Sequence, residues 1–524
     1  MMTRKLLTVG CGLAVAVVTA ACNTDNLTNL NKNPNNPEDV PASTLFTTAT
    51  VDAAGRWFGG YDLRATEFVV QHLAEVQYPD EDRYTRLTGG STATYFDNPY
   101  NTHLEDFQKV IDKGEAASEP GIYGPALAMR TWSFSYLTNT WGDVPYFDAL
   151  KGDATGGSLS PKYDAQKDIY ADFFVQLDKV SKDIAGAGAG AATLGNGDPI
   201  YGGDINEWQK FANSLRARLA LLLINKDPAT ANAQLTAAFA APGGLITDNA
   251  DNAQLNWPGD GIYNNPWANF FSTRDDNRTS LVLINLLKSL NDPRLSLYAQ
   301  PAPDDDTFKG APNGLTAEKA AVYICCSSRI GAALFPGATA YGFFGGNGNS
   351  FPSFLITAAE VNLIKAEAAQ RGLGGLTPAQ AAGFYDAGIT ASIEQWGGSA
   401  ADAAAYLAQP GVVYTPGTAG LVQIAQQKWL ALYTDGGTAW AEWRRTCVPY
   451  DVKPGADASR SNIPRRFMYS SNETSVNSTN LDAAIAAQGP DTFESRMYWD
   501  TAPSAAPTYP TTFTCGDRNT APSP

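Results

Sequence analysis

The sequence predicts a mainly α-helical protein with helix hairpins, long irregular loops and little β structure. Three observations carry this. Apolar residues recur at helical spacing in several segments, small residues crowd the helix faces, and the stretches between helices are long and rich in turn formers.

The clearest helix is the run Ile169, Phe173, Leu177, Val180 and Ile184, whose spacing of four, four, three and four lines up one apolar stripe. Asn206 with Gln209 has the form of a capping box ahead of a core stripe of Trp208, Phe211, Leu215, Leu219 and Leu222. Thr357 with Glu360 is a second box, and Gly372 is a natural stop after Arg371. Thr377-Pro378 opens the next helix, with Tyr385, Ile389, Ser392 and Trp396 on one face and Gly397-Gly398 ending it. The segments 281–290 and 420–434 are further helices. Consecutive pairs such as 358–371 with 379–396, lined by Ala366, Ala368 and Ala369, predict antiparallel hairpins of tetratricopeptide type, although no repeat of fixed period is present. The intervening stretches 78–102, 186–204, 243–276, 301–352 and 445–524 read as irregular, and loops of this length are commonly functional.

The first residues have the layout of an export signal. Arg4 and Lys5 precede an apolar stretch from Leu6 to Val18, which is shorter than the roughly 20 residues of a membrane-spanning helix. Thr19-Ala20-Ala21-Cys22 follows as a lipobox-like site, so Cys22 is the expected lipidation residue and 1–21 the signal peptide. Asn23, in place of the Asp that retains lipoproteins at the inner membrane, points to lipid anchoring at the outer membrane. Residues 22–41, rich in Asn and Pro, form a flexible tether, 42–524 a single domain, and 501–524 its Pro/Thr-rich tail.

The formal net charge is −16, which argues against nucleic acid as a partner. Beyond Cys22, the cysteines Cys325, Cys326, Cys447 and Cys515 allow three pairings. Cys325–Cys326 would be an adjacent bridge, and Cys447–Cys515 would staple the tail to the body. Their spacing does not suit zinc.

Catalytic motifs are missing. There is no G-x-S-x-G elbow, H-E-x-x-H, P-loop or EF-hand loop, and the two histidines, His72 and His103, read as ordinary core or surface residues. The acidic runs Glu81-Asp82, Asp275-Asp276 and Asp304-Asp305-Asp306 read as solvated loop charge. The expectation is a non-catalytic binding protein with no cofactor, no metal and no catalytic residue.

Two aromatic-rich loops supply candidate binding residues. The first holds Tyr78, Arg83, Tyr84, Tyr95, Asn98 and Tyr100, and the second Trp257, Tyr263, Asn265 and Trp267. Flat rings stack on the apolar faces of sugars, while Asn, Asp and Arg hydrogen-bond the hydroxyls at the ring edge. The same residue types also pin long loops to a body, so each ring has a packing explanation as well.

Short motifs in order along the chain resemble the SusD/RagB family of outer-membrane nutrient-binding lipoproteins, in particular its SusD-like, starch-binding subgroup. They include Asn31-Lys32-Asn33-Pro34-Asn35, Trp141-Gly142-Asp143-Val144-Pro145-Tyr146, Tyr201-Gly202-Gly203-Asp204, the segment from Trp208 to Arg218, and Asp292-Pro293-Arg294-Leu295. Ala439-Trp440-Ala441-Glu442-Trp443-Arg444-Arg445, Ile463-Pro464-Arg465-Arg466 and Trp499-Asp500 complete the series. These motifs read as structural, the arginines as clamps on carboxylates or carbonyls. The resemblance implies a SusD-like helical fold, a SusC-like TonB-dependent transporter as partner, and an oligosaccharide or, in some branches, a peptide as ligand. A surface glycoside hydrolase is a third and less favoured reading. Cys447 and the tail beyond Trp499-Asp500 depart from the family pattern, and a Cys447–Cys515 staple would account for both.

Overall fold

Helices form where the chain can bury one face and cap its ends. The computed structural model describes residues 40–152, 156–188, 190–334, 348–501 and Cys515. The expected signal peptide, Cys22, the tether up to residue 39 and most of the 501–524 tail lie outside the described residues.

The first helix, α1 (Ala42–Gly55), does not end at Gly55 but continues as a π-helical segment, Arg56–Thr66, and a last turn, Glu67–Val69. A short strand β1 (Leu73–Glu75) follows. Then come α2 (Ala93–Asn101), α3 (His103–Ala116) and α4 (Pro120–Trp141). The strands β2 (Val144–Pro145) and β3 (Tyr163–Asp164) lead to α5 (Gln166–Ala185), α6 (Ile205–Leu222) and α7 (Pro228–Phe239). After β4 (Ala253–Leu255), α8 (Pro266–Phe271) and β5 (Asn277–Thr279) stand α9 (Leu281–Ser289), β6 (Ser353–Ile356), α10 (Ala358–Gln370) and α11 (Ala381–Gln395). The chain closes with α12 (Ala400–Leu407), α13 (Thr418–Ala431), α14 (Gly436–Thr446) and α15 (Ser478–Gln488). Consecutive helices pack as hairpins, α3 on α4, α5 on α6, α6 on α7 and α10 on α11. Among the described residues the strands make three two-stranded antiparallel ribbons, β1 with β5, β2 with β3 and β4 with β6.

The expected stripes are buried: Ile169, Phe173, Leu177, Val180 and Ile184 on α5, and Tyr385, Ile389, Ser392 and Trp396 along α11. Two caps differ in detail. The N-cap of α6 is Asp204, which accepts from Asn206 N at 2.9 Å, while Gln209 turns inward and donates to Ser181 O. Thr357 Oγ1 does accept from Glu360 N at 3.3 Å, but the Glu360 carboxylate is taken by Arg218 Nε at 2.7 Å. Helix α4 shows no apolar stripe in the sequence because it is buried on nearly every side, so it has no polar face to reveal a period. Stretches expected to be irregular also contain α2, α8 and α15.

Buried side chains from Phe46 to Trp499 form one continuous cluster, crossed by arginines that tie helices together. Arg445 donates to Glu367 at 2.6 and 2.7 Å and to Glu442 at 2.5 Å. Arg294 holds Asp292 and also donates to Ser392 and Gln427. Arg444 donates to the carbonyls of Arg465 and Asn139 and lies 3.8 Å from the Trp440 ring centroid, Arg465 holds Asp500, and Arg466 holds Asp491. The family-like motifs are this framework.

Candidate ligand-binding face

The π-helical segment brings the two aromatic loops together. Its Gly59 and Gly60 allow a neighbour on either side. A Cβ on Gly60 would lie 3.1 Å from Tyr95 Cε1 of α2, and one on Gly59 would lie 3.0 Å from Pro266 Cβ of α8. Either contact is tighter than most neighbours tolerate, so the glycine pair permits this close approach. The β1–β5 ribbon adds the third wall. Its register sets Glu75 opposite Asn277, and beyond it Val76 N donates to Asp276 O at 2.8 Å. The ends of the ribbon therefore deliver Tyr78 and Arg274 to one place.

There the Arg274 guanidinium lies 5.7 Å from the Tyr78 ring centroid and 5.2 Å from that of Phe270, with Arg64 of the π segment 5.8 Å from the same Phe270 ring. Each arginine is held by a carboxylate. Arg274 Nε donates to Asp276 Oδ2 at 2.5 Å, Arg64 donates to Glu81 at 3.0 Å, and Arg86 lies 3.7 Å from Glu81. Tyr78 is 65% exposed and adopts a left-handed conformation with φ 53°, uncommon for a tyrosine. Ile262 and Tyr263, at the tip of the second loop, are 80% and 52% exposed. Asp260 fixes that tip by accepting from Ile262 N and Tyr263 N at 2.9 and 2.8 Å.

Beside this face a cavity of about 200 Å³ is lined by Arg56, Gly60, Thr94, Tyr95 and Asn98. The Tyr95 ring stands edge-on to Tyr61 at 6.0 Å, and burial pushes its hydroxyl up to about 12.

The ten candidates thus divide. Tyr78 and Tyr263 present free ring surface, and Tyr95 and Asn98 line the cavity. Arg83 serves the scaffold, since its Nε donates to Asp457 O at 3.1 Å. Tyr100 is half-buried, and its hydroxyl donates to Pro145 O at 2.8 Å. Tyr84, Trp257, Asn265 and Trp267 are corrected to interior residues, with 1%, 7%, 2% and 1% of their surface exposed. Trp257 Nε1 donates to Ser353 Oγ at 2.9 Å and Trp267 Nε1 to Phe58 O at 2.8 Å, so their polar ends are consumed within the fold. Asn265 caps α8, accepting from Trp267 N and Ala268 N. Of the other residues that build this face, Phe270 belongs to the second aromatic-rich stretch and Arg274 follows it as a residue suited to carboxylate capture, whereas sequence reasoning missed Arg64. The signal for Arg64 was its place four residues after a Gly-Gly pair that a helix would otherwise avoid.

The acidic runs also need correction. Glu81 and Asp82 are buried, Asp82 accepting from Asn313 Nδ2, Gly314 N and Glu75 N, and burial pushes its carboxyl up to about 7. Asp275 is paired with Arg278 and Arg329. Only the third run, Asp304 to Asp306, is exposed as expected.

Both histidines are fully buried. His103 Nδ1 lies 2.9 Å from Asp52 Oδ2 and its Nε2 lies 2.8 Å from Ser133 Oγ, the atom order of a hydrolytic triad. Access is what separates it from one. Ser133 and His103 have no exposed surface, and the Ser133 oxygen already accepts from Trp57 Nε1 at 2.9 Å. Cys447 is joined to Cys515 and Cys325 to Cys326 by disulfide bonds. Among the described residues no group of three or more His, Cys, Asp and Glu side chains is placed to hold a metal ion. No helix among them is long and apolar enough to cross a membrane.

A helical framework locked by buried arginines presents aromatic rings and carboxylate-held guanidiniums from loops on one side, an arrangement suited to a binding protein. The chain belongs to the SusD-like family whose model, described as starch-binding and associating with the outer membrane, matches residues 34–470. Among solved structures it is similar to a chitin-binding protein at 25% identity, covering 88% of this chain and 100% of that one with a TM-score of 0.74. It is also similar in fold to a SusD homologue from Bacteroides uniformis, at 24% identity, 88% and 100% coverage and a TM-score of 0.75. A chitin-binding SusD homologue from Flavobacterium johnsoniae follows at 24% identity, 87% and 99% coverage and a TM-score of 0.72. No curated protein matches the chain.

Proposed function

We propose that this protein captures neutral oligosaccharides at the cell surface without catalysis and passes them to a SusC-like TonB-dependent transporter, held at the outer membrane by lipid on Cys22. The observation that carries the reading is the face built by Tyr78, Arg274 and Phe270. An exposed tyrosine ring offers a stacking plane on the side that Arg274 leaves open, and guanidinium N–H groups beside it are donors for hydroxyls. Family membership supports carbohydrate as the ligand class, and the chitin-binding name of one relative makes β-linked amino sugars a natural first probe. The scaffold holds no accessible nucleophile in the one serine–histidine–aspartate chain described above, which supports binding without turnover.

A peptide ligand is the second reading, because arginines near aromatics can seize a carboxylate. Here Arg64, Arg86 and Arg274 are already engaged by Glu81 and Asp276, and that favours a neutral ligand. Calorimetric titration with chito-, malto-, cello- and xylo-oligosaccharides and with short peptides tests this, with chromatography of the mixtures for products. Binding of a neutral saccharide in the micromolar-to-millimolar range with no product is expected. Product formation, or binding of peptides alone, would overturn it.

A further inference from the structure

A second cleft lies one helix away from the Tyr78 face. Its volume is about 390 Å³, and it opens between α3, α4, α5 and the turn after β2. Tyr100, on the helix that carries Tyr95 and Asn98, separates the two, its ring 5.9 Å from Phe134 on the cleft side.

The polar groups of this cleft are pre-ordered by one another. The Tyr146 hydroxyl donates to Asp172 Oδ2 at 2.6 Å, and Gln176 Nε2 donates to Asp172 Oδ1 at 3.0 Å. On the opposite wall Gln108 Nε2 donates to Asp112 Oδ1 at 2.7 Å, and a terminal nitrogen of Arg130 donates to Gln108 Oε1. Two features are left over after folding is accounted for. Arg130 Nε is buried and finds no acceptor within the protein, so the fold alone does not satisfy this guanidinium. Phe147 leaves 38% of its surface exposed at the cleft, although Tyr146 beside it is packed.

The charges decide what could enter. Arg130 and Lys151 are balanced by Asp112 and Asp172. An anion would meet two carboxylates and a cation two positive groups. A sugar hydroxyl suits both, because it can donate to a carboxylate and accept from a guanidinium or an ammonium. A pyranose also has an apolar face for the Phe147 ring, and the volume is that of a small-ligand pocket. We propose that this cleft is a second saccharide site, taking one end of a neutral glycan independently of the Tyr78 face.

The test is titration of the purified protein with neutral tetrasaccharides of the malto, chito, cello and xylo series, and with tetragalacturonate as the acidic probe. The variants are Tyr78→Ala, the pair Phe147→Ala with Gln176→Ala, and all three together. Melting temperatures check that each variant folds. The parent should bind a neutral tetrasaccharide at two sites, and Tyr78→Ala should weaken one of them about tenfold and leave the other unchanged. The Phe147/Gln176 pair should lower the affinity of that other site at least tenfold, and tetragalacturonate should not compete there. If the Phe147/Gln176 pair binds like the parent while Tyr78→Ala weakens all of the binding, the second site is overturned and the proposed function stands. If no neutral tetrasaccharide binds the parent, both fall. Equal competition by tetragalacturonate would overturn the neutral-ligand argument for the cleft.

Discussion

His72 Nδ1 lies 2.9 Å from Glu67 Oε2 in a site where neither residue has exposed surface. The other ring nitrogen, Nε2, is 3.0 Å from the Trp429 carbonyl, which can only accept, so Nε2 carries a hydrogen. Burial raises Glu67 well above its usual 4.5, with Asp435 adding to the effect, and burial depresses His72 from 6.5 to about 3. The folded pair thus holds a protonated Glu67 that donates to a neutral His72.

That pairing has a pH signature. Between 4.5 and 6.5 the unfolded chain has an ionised Glu67 and a charged His72, the same number of protons as the folded pair, so the pair adds no slope to stability there. Above 6.5 the unfolded pair loses a proton that folded Glu67 keeps, and stability falls as pH rises. Below 4.5 the unfolded pair gains a proton that folded His72 refuses down to about 3, and stability falls with acid. Glu67→Gln keeps a donor towards His72 but removes the carboxylate. Denaturant unfolding from pH 3 to 9 should show the pair's alkaline loss abolished and its acid edge moved up from 4.5 to 6.5, with a slope of at most about 1.4 kcal/mol per pH unit in the difference from the parent. An acid edge that stays put would contradict the assignment.

The exposed rings should matter for ligand and not for folding. Tyr78 and Tyr263 have more than half their surface free, so truncation removes little packing. Tyr78→Ala is expected to weaken saccharide binding by about tenfold, since a stacked ring contributes on the order of 1 kcal/mol. Tyr263→Ala should act in the same direction with a smaller effect, and both melting temperatures should stay within about 1 °C of the parent, as for surface changes. A matching loss of stability would make these rings packing residues.

How much of this was legible in the sequence depended on whether a residue's role was local. The α5 and α11 stripes were readable because periodicity is a local signal, and the aromatic loops were readable as regions because Tyr78 and Tyr95 share one aromatic-rich stretch and Tyr263 lies in another. Which ring faces solvent was not readable. Trp257 and Tyr263 sit six residues apart in one loop, yet Ser353 of a distant strand takes the Trp257 nitrogen while Asp260 fixes the Tyr263 tip. Arg274 meets Tyr78 only through the β1–β5 register, a pairing across two hundred residues that no local pattern encodes.

Trp267→Ala is the counterpart of the tyrosine variants. The ring is 1% exposed, stands edge-on to Tyr433 at 5.8 Å and anchors α8 to the π segment through Phe58 O. Its loss leaves a cavity and removes the hydrogen bond that anchors α8, so unfolding experiments should show a cost of about 3–5 kcal/mol. Trp267→Phe keeps most of the volume and should recover part of that. Binding per folded molecule should fall only as far as α8 shifts Phe270, so wild-type stability in Trp267→Ala would refute the interior assignment.

The two disulfides should separate by accessibility. Cys447 ends α14, is 1% exposed, and is bonded to Cys515 across 68 positions, whereas Cys325 of the Cys325–Cys326 pair is exposed. Thiol–disulfide exchange needs a thiolate to reach a sulfur, so a limited pulse of reductant followed by alkylation should label Cys325 and Cys326 well before Cys447. Peptide mapping without reduction should find only these two pairings, and a cross-linked Cys326–Cys447 peptide would refute them. Closing a loop of that length restrains the unfolded chain, so Cys447→Ser with Cys515→Ser should lower stability by about 2–4 kcal/mol. The Tyr78 face draws no side chain from this bridge, so saccharide affinity should be unchanged in the same variant. A fall in affinity without a fall in stability would mean that the staple shapes the binding face itself.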